Sequence, residues 1–186
     1  MKLAVTALAI PDVKLIAAPR FTDARGHFAE TYARADFVAA GLMNDFVQDN
    51  QAASRAAGTV RGLHFQIAPH AQAKLVRVLR GRIFDVAVDI RRSSPTFGQH
   101  VAVTLDGEAG QQLFVPVGFA HGYCTLEPDT EVFYKVDSPY APAHERGIFW
   151  ADPALGIAWP VDAKAAILAD KDKTLPTLAA LQDSFA

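Results

Sequence analysis

Between residues 58 and 136 short runs rich in Val, Ile and Phe alternate with glycines and prolines at close intervals: Gly58, Gly62, Gly81, Pro95, Gly98, Gly107, Gly110, Pro116, Gly118 and Gly122. That rhythm predicts many short strands joined by turns, as in a β-sandwich or barrel. The clearest strand runs from Arg82 to Arg91. Phe84, Val86, Val88 and Ile90 fall on one face, and Asp85, Ala87 and Asp89 on the other. Leu75–Leu79 reads as a strand before it, with a turn at Arg80-Gly81. Ser93-Ser94-Pro95 turns the chain after it. Val101–Leu105, Leu113–Val115 and Glu131–Val136 add further strands. Helical patterns are confined to the edges: Asp36–Gly41, ending at a glycine, and Thr177–Phe185, after Pro176.

The chain has 186 residues, no internal repeat and no long linker, so a single domain spanning 1–186 is expected. With 51% hydrophobic and 20% charged residues it can bury a sizeable core, which excludes a disordered chain. The formal net charge of -2 argues against nucleic acid as a partner. The single cysteine, Cys124, can form neither an internal disulfide nor a cysteine-rich zinc site, which fits a cytoplasmic protein. No stretch has the length of a membrane span. Lys2 followed by Leu3–Ile10 has the look of a short signal core, but Pro11, Asp12 and Lys14 interrupt it, and a strand entering the domain is expected instead.

Several segments could carry chemistry. In Arg61-Gly62-Leu63-His64-Phe65-Gln66 a histidine sits in an apolar, strand-like run, followed by Lys74 at the start of another strand. Such a histidine is ordinarily a satisfied core residue; as a catalyst it would be a general base. Gly110–His121 contains Gly, five residues, Pro, one residue, Gly, two residues, His. This resembles the second motif of the cupin superfamily, in which the Pro–Gly turn aims the histidine into a barrel. The metal-binding cupins carry a first motif with two histidines one residue apart. Here that place reads His64-Phe65-Gln66, so a cupin barrel without a metal is expected. Phe133-Tyr134-Lys135 offers a tyrosine that is either packing or a general acid. Asp170-Lys171-Asp172-Lys173 reads, taken alone, as an exposed charge run. Phe21–Tyr32 combines Arg25 with the aromatic residues Phe21 and Phe28, suited to phosphate and base contacts.

These segments, with Gln48-Asp49-Asn50, Tyr140–Ile148 and Asp152–Pro160, occur in one order along nearly the whole chain. Together they resemble the dTDP-4-dehydrorhamnose 3,5-epimerase family. The resemblance implies an all-β double-stranded β-helix (the cupin or jelly-roll barrel) with a few short peripheral helices. It implies a substrate that is a dTDP-linked 4-keto-6-deoxy sugar. The ketone acidifies the hydrogens on both flanking carbons, so inversion needs a base on one face, an acid on the other, and neither metal nor hydride carrier. It further implies that His64 is the base, Asp172 its orienting carboxylate, Tyr134 the proton donor, and Lys74 the charge beside the developing enolate oxygen. Phe21, Arg25, Phe28, Glu30, Gln48, Asp49, Asn50, Arg61, His121, Tyr140, Glu145 and Lys171 match nucleotide and sugar contacts, with Tyr140 stacking on the thymine. The family's homodimer, exchanging an N-terminal strand, would explain a site partly built from Phe21 to Glu30. Two departures fall in the nucleotide region: Gln51-Ala52 where His-Ser is frequent, and Pro139 in place of an aromatic. Strict alternation sets Arg61 and His64 on opposite faces of one strand, although both match substrate contacts. A bulge or turn at Gly62 would bring them to one face.

Overall fold

The computed structural model describes residues 3–183 and Phe185. In chain order its strands are β1 (Ala4–Ala7), β2 (Lys14–Ala17), β3 (Arg20–Asp23), β4 (Gly26–Ala29), β5 (Gln48–Ser54), β6 (Val60–Gln66), β7 (Lys74–Arg80), β8 (Arg82–Asp89), β9 (His100–Asp106), β10 (Gln111–Val115), β11 (Phe119–Thr125), β12 (Thr130–Val136) and β13 (Glu145–Gly147). Helix α1 (Arg34–Ala39) lies between β4 and β5, and α2 (Asp170–Lys173) follows β13. The strands form a six-stranded sheet, β1-β2-β10-β7-β12-β5, and a five-stranded sheet, β13-β6-β11-β8-β9, with β3–β4 as a separate hairpin. Neighbouring strands run antiparallel throughout. This is the expected cupin-like double-stranded β-helix.

The two sheets face each other across a core to which both contribute. Val76, Val115 and Val132 of the six-stranded sheet meet Ile83, Ala87, Val101, Leu105, Phe119 and Tyr123 of the five-stranded one. Strand β8 shows how the alternation is used. Its apolar face, Val86 and Val88 with Ile90 just beyond, is on the outside of its sheet. There it packs with Leu63, Phe65, Ala120 and Ile148 beneath Leu155 and Leu181 of the C-terminal segment. Asp85 and Ala87 occupy the inner face, and both are fully buried. The outer face of the other sheet is covered in the same way: Ile16, Leu75 and Phe114 lie under Phe37 of α1 and Leu42.

Helix α1 ends at the expected glycine: Gly41 takes a φ of 81° and the Leu42 N–H returns to the Phe37 carbonyl. The C-terminal helix expected over Thr177–Phe185 is replaced by a single 3-10 turn, Leu178–Ala180; Ser184 falls outside the described residues. Partners elsewhere in the chain hold this segment by its backbone. Asp152 Oδ2 accepts from the Leu178 N–H at 2.7 Å, Arg92 donates to the Leu181 carbonyl at 3.0 Å, and the Arg92 N–H bonds the Phe185 carbonyl. Cys124 is buried and unpaired, and burial pushes its thiol up to about 11. None of the described helices is long and apolar enough to cross a membrane.

Candidate active site

A cavity of about 570 Å³ opens between the two sheets. One wall comes from β6 and β11 of the five-stranded sheet. The other comes from β5, β7 and β12 of the six-stranded sheet, and residues 140, 145, 167–169, 171 and 172 complete the lining.

The bulge anticipated in β6 is present. His121 of β11 lies opposite His64, but Tyr123 lies opposite Arg61, so Gly62 and Leu63 together oppose Gly122. The extra residue turns Leu63 outward, where it is fully buried, and aims both Arg61 and His64 into the cavity. Only glycine serves at position 62. Its φ is 137°, and a Cβ there would lie 2.4 Å from the Gly122 Cα.

His64 Nε2 donates to Asp172 Oδ1 at 2.6 Å, although 108 residues separate them. Asp172 is 1% exposed, so the run 170–173 is a one-turn helix with one charge pulled inward rather than an open loop. What delivers it is a strap alongside β6. The Val60 N–H bonds the Ile167 carbonyl, and the Ile167 N–H bonds the Gly58 carbonyl. With Nε2–H committed to the carboxylate, the lone pair of His64 is on Nδ1.

A second histidine–carboxylate pair lies beside the first. His121 Nε2 donates to Asp85 Oδ1 at 2.5 Å, with both side chains buried, and Asp85 Oδ2 has no hydrogen-bond partner among the described residues. Asp85 lies behind His121 rather than on the cavity lining, and the family resemblance did not supply it. Its signal was in the β8 alternation, which sets a carboxylate on the face opposite the apolar stripe. Lys74, also buried, donates from Nζ to the His64 carbonyl at 3.2 Å. Desolvation brings its ammonium down to about 8, opposed by the charges of Asp85 and Glu145. From the facing sheet, β12 turns Tyr134 inward beside Val76 and Val132. Burial raises its hydroxyl above the ordinary tyrosine range, against the pull of the Arg61 charge.

At the mouth Glu145 bridges two neighbours. It accepts from Lys171 Nζ at 2.8 Å and from the Tyr140 hydroxyl at 3.1 Å. Burial works to raise this carboxyl, but the Lys171 bond and charge outweigh it, and the net direction is downward. Gln48 and Asn50 line the cavity from β5 and bond each other at 2.8 Å.

Five expected contacts lie elsewhere. Asp49 alternates to the outside of β5, where it pairs with Lys135 at 2.7 Å. Phe21, Arg25, Phe28 and Glu30 sit on or beside the β3–β4 hairpin, away from this cavity. Arg25 pairs with its own neighbour Asp23, and Phe21 and Phe28 are 55% and 67% exposed. Among the described residues no three His, Cys, Asp or Glu side chains are grouped to hold a metal. Gln66, at the place of the second cupin histidine, spends its carboxamide on backbone groups of two loops.

Fold and cavity define a cupin-type enzyme with a histidine–aspartate pair on one wall and a tyrosine on the other. The model of the family described as dTDP-4-dehydrorhamnose 3,5-epimerase matches residues 7–180, and the chain belongs to that family. It is 49% identical over 178 residues to the dTDP-4-dehydrorhamnose 3,5-epimerase of Sinorhizobium fredii, covering 96% of this chain and 91% of the relative. The Bacillus anthracis enzyme of that name, solved with TDP and pyrophosphate bound, superposes with a TM-score of 0.91 at 47% identity. The match covers 94% of this chain and 99% of that one. The Legionella pneumophila dTDP-6-deoxy-D-glucose-3,5-epimerase, in complex with dTDP-4-keto-L-rhamnose, has a TM-score of 0.92 at 39% identity, covering 97% and 95%.

Proposed function

We propose that this enzyme inverts C3 and C5 of dTDP-4-dehydro-6-deoxy-D-glucose to give dTDP-4-dehydro-L-rhamnose, in the making of dTDP-L-rhamnose. The observation that carries the mechanism is that His64 and Tyr134 project from opposite sheets into one cavity. A sugar ring held between the sheets meets a base on one face and an acid on the other. Nδ1 of His64 takes the proton from the carbon beside the ketone. The C–H electron pair passes into a C=C bond, and the carbonyl oxygen becomes an enolate oxygen. Asp172 stabilises the resulting imidazolium, and the Lys74 ammonium stabilises the oxyanion. Tyr134 then gives its hydroxyl proton to the same carbon from the other side; the His64 imidazolium releases its proton to solvent, and the tyrosinate takes one up. Arg61, His121, Gln48 and Asn50 hold the sugar and its diphosphate, while Tyr140, Glu145 and Lys171 hold the nucleoside end.

The test is turnover of that substrate in deuterated water with a chelator present. Deuterium is expected at both C3 and C5. Label at one carbon only would make this a single-carbon epimerase, and loss of turnover restored by one divalent ion would overturn the metal-free mechanism.

The Lys74 role has a pH signature. As pH rises through about 8 the ammonium is lost in the folded, substrate-free enzyme. The rate constant kcat/KM should therefore fall about tenfold per pH unit above that point. Stability should move the other way. Between about 8 and the ordinary lysine value the unfolded chain binds the proton and the folded one does not, so stability from this group rises with pH. Rate and melting profiles across pH 7–10 check both signs; an alkaline limb that persists unchanged in Lys74→Gln would assign it to another group.

The hairpin residues Phe21, Arg25, Phe28 and Glu30 act, in this reading, in the cavity of a second copy. Their exposure on a projecting two-stranded element supports this. A monomeric mass for the active enzyme in solution would exclude it.

A further inference from the structure

Three glutamines converge on the short loop that carries Tyr140. Gln72 Nε2 donates to the Ser138 carbonyl at 2.6 Å. Gln66 Nε2 donates to the Pro139 carbonyl at 3.2 Å and to the His70 carbonyl at 2.6 Å, while its Oε1 accepts from the Ala141 N–H at 2.8 Å. Gln48 Oε1 accepts from the Tyr140 N–H at 2.9 Å. The loop is thus held at each residue from 138 to 141. It is anchored one residue earlier as well, where Asp137 Oδ1 accepts from the Ala73 N–H at 2.7 Å and Oδ2 from Asn44 at 2.7 Å. Gln66 is 3% exposed, and both faces of its carboxamide are used. Tyr140 itself is 52% exposed and makes its side-chain hydrogen bond to Glu145, so little apolar packing fixes its ring.

We infer that Gln66 and Gln72, with Gln48, form a cradle that pre-sets Tyr140 for a planar nucleobase. Gln66 and Gln72 are positioning residues for nucleotide affinity that act through Tyr140. This rests on the reading above that Tyr140 meets the nucleobase. A loop bonded at every residue has little freedom left to lose when the ligand arrives, and binding gains by that saving. The cradle also accounts for Pro139. That position gives up no N–H that any of these side chains needs, and its carbonyl takes the Gln66 bond.

The test is a double-mutant cycle read by calorimetric binding of thymidine diphosphate, with KM and kcat for the sugar nucleotide alongside. Gln66→Met keeps the length of the side chain and removes its hydrogen bonds. The Kd for thymidine diphosphate is expected to rise about tenfold, and KM with it, while kcat stays within about threefold of the parent. Gln72→Met removes one bond at a half-buried position and should raise Kd about threefold; it decides the matter alone if Gln66→Met does not fold. In a Tyr140→Ala background either change should have no further effect on Kd. Equal losses with and without the Tyr140 ring, a fall in kcat with KM unchanged, or unchanged Kd would each overturn the cradle. If Tyr140→Ala itself leaves Kd unchanged, the assignment of Tyr140 to the nucleobase fails, and the cradle with it. If Tyr140→Ala weakens binding and the glutamine variants do not, only the cradle fails.

Discussion

His64→Gln is expected to yield a folded protein whose turnover is lower by at least about 10²–10⁴-fold, the range for loss of a general base. Glutamine is the informative replacement because of what Asp172 needs. That carboxylate is buried and would be left without its donor in an alanine variant, at a cost in stability. A glutamine amide nitrogen reaches the place of Nε2 and can still donate to it, but the side chain has no lone pair basic enough to take a carbon-bound proton. Activity falls while the fold stays. Wash-in of deuterium at C3 and C5 should fall with turnover, since no enolate forms. Near-parental turnover in a variant with an unchanged melting curve would remove His64 from the mechanism.

Tyr134→Phe is expected to separate proton removal from proton return. The ring and its packing beside Val76 and Val132 remain, and only the transferable proton is gone. His64, Asp172 and Lys74 are intact, so the enolate still forms, and the proton returns from the side it left. Net inversion should drop by about 10²–10⁴, and solvent exchange into recovered substrate by much less. The comparison needs one sample, with exchange read by NMR of the substrate and inversion by NMR of the product. If both fall in step, the hydroxyl is also needed to make the enolate. If inversion does not fall, another group supplies the proton.

How much of this could be read from the sequence depended on what each strand faces. Strand β8 was plain because its outer stripe is continuous and apolar. Strand β5 does not look like a strand in the sequence. Its inward positions, Gln48, Asn50 and Ala52, line a cavity rather than a core, and its outward ones are solvated. Polar residues on both faces look like a loop. The C-terminal tail misled in the opposite sense. Leu178, Leu181 and Phe185 recur at helical intervals, yet they seal the outside of a sheet from a mostly extended chain. The pairing of His64 with Asp172 came from family resemblance alone, because no local pattern links residues so far apart. The bulge at Gly62 was inferred from a conflict between alternation and the need for two residues on one face. The register of β6 against β11 resolves it in that way. Asp85 could have been found by asking why a strand with one apolar face carries a carboxylate on the face that points between the sheets.

The segment after residue 160 has two duties that are usually separate. Its strap and α2 bring Asp172 to His64, and Leu181 and Phe185 cover the apolar outside of β8. While that segment is undocked, the apolar outer face of β8 is uncovered and His64 lacks its carboxylate partner. Both faults are cured when the tail docks. Covering the sheet and completing the histidine–aspartate pair are therefore one docking event, and neither is finished without the other.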